Sequence, residues 1–124
     1  VILSERDVRQ PDIVMLHRSR LSIVTRRGIE GAPDLVVEVL SPHSVKRDRQ
    51  AKGVVYAKFG IPEYWIVDFQ NECLEQYVLN SERDRRYELL NVYAGDEPVS
   101  SERLPCVSFT IQAILDDLPH LPNF

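Results

Sequence analysis

Apolar and polar positions change rhythm several times along the chain, and each change predicts an element. PDIVML (11–16) is a short apolar run after a polar approach and reads as a strand. Pro11 suits its first position, where a ladder donor is dispensable. RRGIEGAP (26–33), with two glycines and a proline, reads as turn. DLVVEVL (34–40) is the clearest strand, valine-rich and bounded by Pro33 and Pro42. Ser44 then offers an N-cap for a helix running to about Phe59, which Gly60 and Pro62 bring to an end. YWIVDF (64–69) is a third strand, QNE (70–72) a short turn, and CLEQYVL (73–79) its hairpin partner. RRYELLNVY (85–93) alternates as a further strand, and 94–103 is loop. VSFTIQAILDDL (107–118) reads as a strand edge running into a terminal helix. Strands interleaved with helices predict an α/β or α+β layer structure with its sheet covered on at least one face.

The strand at 34–40 contains an anomaly. Side chains on a strand alternate with period two, so Asp34, Val36, Glu38 and Leu40 share one face and Leu35, Val37 and Val39 the other. Two carboxylates therefore stand on a face of an apolar strand. An unpaired buried charge costs several kcal/mol or more, so such a group needs a cation, a donor or a metal. The helix offers one: Val45, Asp48, Lys52, Val55 or Tyr56, and Phe59 form a stripe expected to face the sheet, with Tyr56 and Phe59 as core. Lys52 on that stripe and Glu38 in the sheet are placed to meet.

Composition is that of a soluble globular domain, 44% hydrophobic and 27% charged over 124 residues. That length forms one domain, 1–124, with a core of its own. No run of about eighteen apolar residues is present, which excludes a membrane helix. Without a leader pattern or a disulfide framework, the expected location is cytoplasmic, with Cys73 and Cys106 as reduced thiols. The chain opens on Val1 with no methionine, so we expect a domain truncated at its N-terminus. Charge is lopsided: residues 1–62 carry eleven Lys/Arg against seven Asp/Glu, and residues 63–124 carry four against twelve. The basic half fits a polyanionic partner such as nucleic acid. Arg18, Arg20, Arg26, Arg27, Lys46, Arg47 and Arg49 are its candidate phosphate contacts, as a cluster and not singly.

Asp12 follows Pro11 at the mouth of the first strand. With Glu38 it makes an oxygen pair suited to a hard cation, Mg²⁺ or Mn²⁺, which keeps several waters. Lys52 nearby can assist an attacking water and balance charge on a phosphate. Asp12, Glu38 and Lys52 are thus the set that metal-assisted phosphodiester hydrolysis needs. Blander roles stand beside these. Glu38 can be a structural carboxylate paired with Lys52 or an arginine. Asp34 after its proline reads more readily as a turn residue than as a supporting ligand. Asp48, one turn before Lys52, reads as that lysine's positioning partner.

VRQPDIVM, GAPDLVVEVLSPHS, the spacing of Asp48, Lys52 and Tyr56, FGIPEYWIVD and LPCVSFTIQAIL follow in order from about Val8 to Leu115. Together they resemble the Uma family of restriction endonucleases, a branch of the PD-(D/E)XK nuclease superfamily. Cys106 stands where a glycine is usual. The resemblance implies a restriction-endonuclease-like fold, a central mixed β-sheet flanked by helices, and metal-dependent cleavage of nucleic acid. Asp12 matches the family's PD aspartate and Glu38 its strand glutamate. The superfamily's lysine two residues beyond that glutamate is Leu40 here, a departure the Uma-like branch shares, and Lys52 matches the helix lysine that takes its place. Family members also carry an N-terminal helical region and a glutamate-bearing first strand, neither of which is visible before Val1.

The leading expectation is a Mg²⁺-dependent endonuclease acting on DNA, with Asp12 and Glu38 on the metal and Lys52 at the water and phosphate. A homodimer would suit two-strand cleavage. Two other classes compete. A catalytically inactive nucleic-acid-binding or assembly module would keep the fold without the metal. A small-molecule hydrolase would bind its substrate with little dependence on salt, whereas nucleic-acid binding weakens steeply as salt rises.

Overall fold

A computed structural model of the chain describes residues 1–2, 11–40, 46–80, 85–105 and 107–113, with the backbone alone at 46–50. Ser44, Cys106, the Asp48 side chain and most of the expected terminal helix lie outside the described residues.

Five strands form a mixed sheet in the order β1-β4-β5-β6-β7. They are β1 (Ile13–Met15), β4 (Leu35–Leu40), β5 (Glu63–Asp68), β6 (Cys73–Asn80) and β7 (Arg86–Ala94). The β4–β5 pair is parallel and the other three are antiparallel. That pattern follows from connection length. A four-residue turn can only return the chain antiparallel from β5 to β6, whereas the parallel pair needs a crossover. Helix α1 (Lys46–Lys58) is that crossover. It stops where its composition requires. Gly60 has φ +77°, and its N–H reaches Ala57 O at 3.0 Å while Ile61 N–H reaches Tyr56 O at 3.2 Å. The two bonds make a Schellman cap, sealed by the fully buried Ile61 packing with Tyr56.

The central strands β4 and β5 are covered on both faces, as their apolar runs demand, while the edge strand β7 is largely exposed. On the α1 side, Val36, Tyr56, Ile61, Tyr64 and Ile66 pack together. On the other, Leu35, Val37, Trp65, Val67, Leu74 and Tyr93 pack with Val99, Leu104 and Ile111 of the chain's last described segment. Tyr64 and Trp65, adjacent in sequence, thus lie in different cores, as the period-two pattern requires.

The segment between β1 and β4 is more structured than its turn composition indicates. It holds a 3₁₀ helix (Arg18–Ile23) and a small hairpin of β2 (Val24–Thr25) and β3 (Gly28–Ile29). The expected loop at 94–103 contributes β8 (Pro98–Val99), paired with β9 (Phe109–Thr110). Two-residue ladders of this kind leave too short a pattern to be read from alternation. No described helix is long and apolar enough to cross a membrane.

Candidate active site

Glu38 lies near the C-terminal end of β4, in the strand core but facing α1, and is only 5% exposed. Lys52, from the middle of α1, sets its Nζ 3.3 Å from Glu38 Oε2. The lysine sits at the rim of the helix's buried face, which is made by Tyr56 and Ala57, so its side chain keeps 45% of its exposure. One turn further on, the Tyr56 hydroxyl donates to Glu38 Oε1 at 2.7 Å. The cost of placing a carboxylate in this strand is therefore met by one cation at its open side and one buried hydroxyl at its closed side.

Asp12 stands in a bend one residue before β1. The register Ile13↔Val37, continued by one residue, sets Asp12 opposite Glu38. Its Oδ2 accepts the Val39 backbone N–H at 2.7 Å. Val39 follows Glu38 directly, so this bond ties the exposed Asp12 carboxylate to the end of β4 that carries Glu38.

Asp34 stands apart. It precedes the first paired residue of β4, is fully buried, and accepts the His17 backbone N–H at 2.7 Å. Its Oδ1 meets Arg20 at 3.1 Å and Arg103 at 3.0 Å. Burial by itself raises its pKa, but the His17 amide and the two guanidinium groups outweigh burial and hold the carboxyl below its usual 3.8. It ties the 3₁₀ helix and the 101–105 segment to the strand, and it is not brought to Glu38.

Two further acidic groups escaped the sequence reading. Glu63, opposite Leu35 in register, is buried on the far face and accepts from Trp65 Nε1 at 2.9 Å and from the Ser101 hydroxyl. Glu75 shares a cross-sheet row with Glu38 through Ile66, and the Tyr77 hydroxyl donates to it at 2.9 Å. The Tyr77 ring in turn lies 6.1 Å from Tyr64, centroid to centroid. Only the pairing of the strands reveals either position.

The family model described as "Putative restriction endonuclease", Uma2, matches residues 1–112. The chain belongs to the Uma2 family. In line with this, a crystal structure from Anabaena variabilis ATCC 29413, of a putative nuclease belonging to DUF820, superposes with a TM-score of 0.64 at 21% sequence identity. The match covers 86% of this chain and 59% of the other, so the chain spans well under two thirds of that nuclease's length. The likeness establishes a restriction-endonuclease-like fold. No curated protein matches the chain.

Within this Uma2 chain, Lys52 and Tyr56 meet Glu38, while Asp12 is held by the adjoining Val39 amide. Leu40, at the superfamily's lysine position, instead packs against the α1-side core, and the helix lysine fills the space near Glu38. Among the described residues no three His, Cys, Asp or Glu side chains form a metal-holding group. A donor set of two carboxylates is nevertheless what Mg²⁺ accepts, since it keeps several waters, and it is too sparse for Ca²⁺ and lacks the His and Cys ligands typical of zinc. Asp12 Oδ1 makes no hydrogen bond among the described residues, and each Glu38 oxygen has a second lone pair. The residues present fit a small hard cation. Of the arginines, Arg18, Arg26 and Arg27 are exposed, while Arg20 is committed to Asp34 and the Ala32 carbonyl.

Proposed function

We propose that this chain is the core of a metal-dependent endonuclease that hydrolyses phosphodiester bonds of DNA. The observation that carries the proposal is a carboxylate buried in a strand, Glu38, met from α1 by the half-exposed Lys52, with Asp12 tied to the next residue of the strand, Val39. Membership of a nuclease family supports the reaction class.

In this reading Asp12 and Glu38 hold a Mg²⁺ or Mn²⁺ ion. When bound, that ion supplies charge neutralisation at the phosphate and a bound water that deprotonates more readily. Lys52 does what a fixed cation at the rim can do. Its ammonium meets a non-bridging oxygen of the scissile phosphate and stabilises the charge that grows there. Glu38 is fixed in β4 and Asp12 is anchored on the Val39 amide, so the site needs little rearrangement on binding. A twofold pair of chains would present one such site to each strand of a duplex.

The test is plasmid nicking by the full chain in Mg²⁺ or Mn²⁺, alongside Glu38→Gln and Asp12→Asn. Metal-dependent nicking lost in both variants is the expected result. Nicking unchanged in either variant would remove that carboxylate from the mechanism. Binding of DNA without cleavage by wild type would favour a non-catalytic nucleic-acid-binding module.

A further inference from the structure

Tyr56 has the burial of a core residue, yet its hydroxyl is committed to the candidate site. The residue is 1% exposed, and its ring meets Tyr64 edge-on, with centroids 5.5 Å apart and planes at 78°. Tyr64 is itself buried and hemmed in by Tyr77 and Tyr87. The phenol therefore cannot swing away, and its oxygen is fixed 2.7 Å from Glu38 Oε1. Lys52 takes the other carboxylate oxygen, Oε2. The two oxygens of Glu38 thus face different surroundings, one toward a rigid buried donor and one toward the open rim.

We infer that Tyr56 is the positioning residue of this site. It fixes the rotation of the Glu38 carboxylate so that Oε2 is presented toward Lys52 and the metal position. The inference rests on the metal-dependent reading above and deepens it. Tyr56 touches neither substrate nor metal and acts on the site through Glu38. Apolar packing would be satisfied equally by phenylalanine, so the hydroxyl is the part of the side chain that the core does not explain. Outer-layer donors of this kind are typically worth 10- to 100-fold in metal affinity or activity.

The experiment compares the full chain with Tyr56→Phe and with Tyr87→Phe. Tyr87 belongs to the same tyrosine layer but donates to the Ile61 carbonyl at 2.8 Å, so its variant controls for a weakened layer. Three quantities are read: Mn²⁺ affinity by electron paramagnetic resonance without nucleic acid, the Mg²⁺ concentration for half-maximal nicking, and the thermal midpoint. The expected result is that Tyr56→Phe weakens Mn²⁺ binding and raises the Mg²⁺ requirement about 10-fold or more. Tyr87→Phe should lower the thermal midpoint while leaving both metal readings at the wild-type values. Wild-type metal binding in Tyr56→Phe would overturn the inference and leave the nuclease reading intact. Failure of the wild-type chain to bind Mn²⁺ at all would overturn both.

Discussion

Replacing Asp34 by alanine removes the acceptor of three separate donors at a fully buried position. The contributions differ. The His17 amide is a short bond at 2.7 Å to a charged acceptor, and losing such a bond costs about 1.5–3 kcal/mol. The Arg20 and Arg103 side chains are 36% and 44% exposed, so water recovers most of what they lose. Those pairs count roughly as surface pairs, up to about 1 kcal/mol each. Asp34→Ala should therefore cost roughly 3 kcal/mol, or about 10 °C in a chain of this size. Asp34→Asn, which can still accept the His17 N–H, should cost about half as much. The folded-state pKa of Asp34 lies below its unfolded value of about 3.8. Its contribution is thus fully present above that value and is lost as pH falls through the lower folded one. Urea unfolding of wild type and Asp34→Ala, at neutral pH and in steps down to pH 3, reads both effects. The gap between them should be full at neutral pH and narrow below about pH 4. A neutral-pH cost under about 1 kcal/mol, or a gap that acid leaves unchanged, would refute the clasp assigned to Asp34.

Two other substitutions probe the helix that faces Glu38. In Gly53→Ala, helix propensity favours alanine by up to about 1 kcal/mol. The new Cβ would stand 3.3 Å from Tyr64 Cε2, however, and that ring is held on its other sides by Tyr56, Tyr77 and Tyr87. Overpacking of about 1–3 kcal/mol should win, giving a net loss near 1 kcal/mol by urea denaturation. A stabilised variant would show that the tyrosine layer yields. Lys52→Met keeps most of the side chain's apolar length but removes its charge, and should lower the rate of nicking by about 100-fold or more. Its thermal midpoint should stay within the equivalent of about 1 kcal/mol, because the lysine is half-exposed. Nicking at the wild-type rate would exclude Lys52 from the chemistry.

The sheet was largely legible because its strands are valine-rich and end at strong punctuation. Gly60 and Pro62 mark the close of α1, and the antiparallel β5–β6 pair follows from a turn too short for a crossover. The 3₁₀ helix and β2–β3 were hidden because 26–33 has turn composition and its ladder is two residues long. Within the site, Glu38 announced itself as a charge in an apolar strand, and helical spacing brought Lys52 toward it. Tyr56 met the spacing for core and is core, but the role of its hydroxyl depends on where a carboxylate oxygen 18 residues away comes to rest. Asp34 was assigned to the face of Glu38 by alternation. Its partners include Arg103, 69 residues away in sequence, which no local pattern can report. Local periodicity thus located the carboxylates, and long-range packing decided which of them share a site.

The central claim is that Asp12 and Glu38 together hold a divalent cation. Anomalous diffraction from a crystal of the full chain soaked in Mn²⁺ tests it most directly. One strong peak between the two carboxylates, absent in Glu38→Gln, is the expected result. Manganese bound elsewhere, or no peak beside Asp12 and Glu38 at saturating metal, would contradict it.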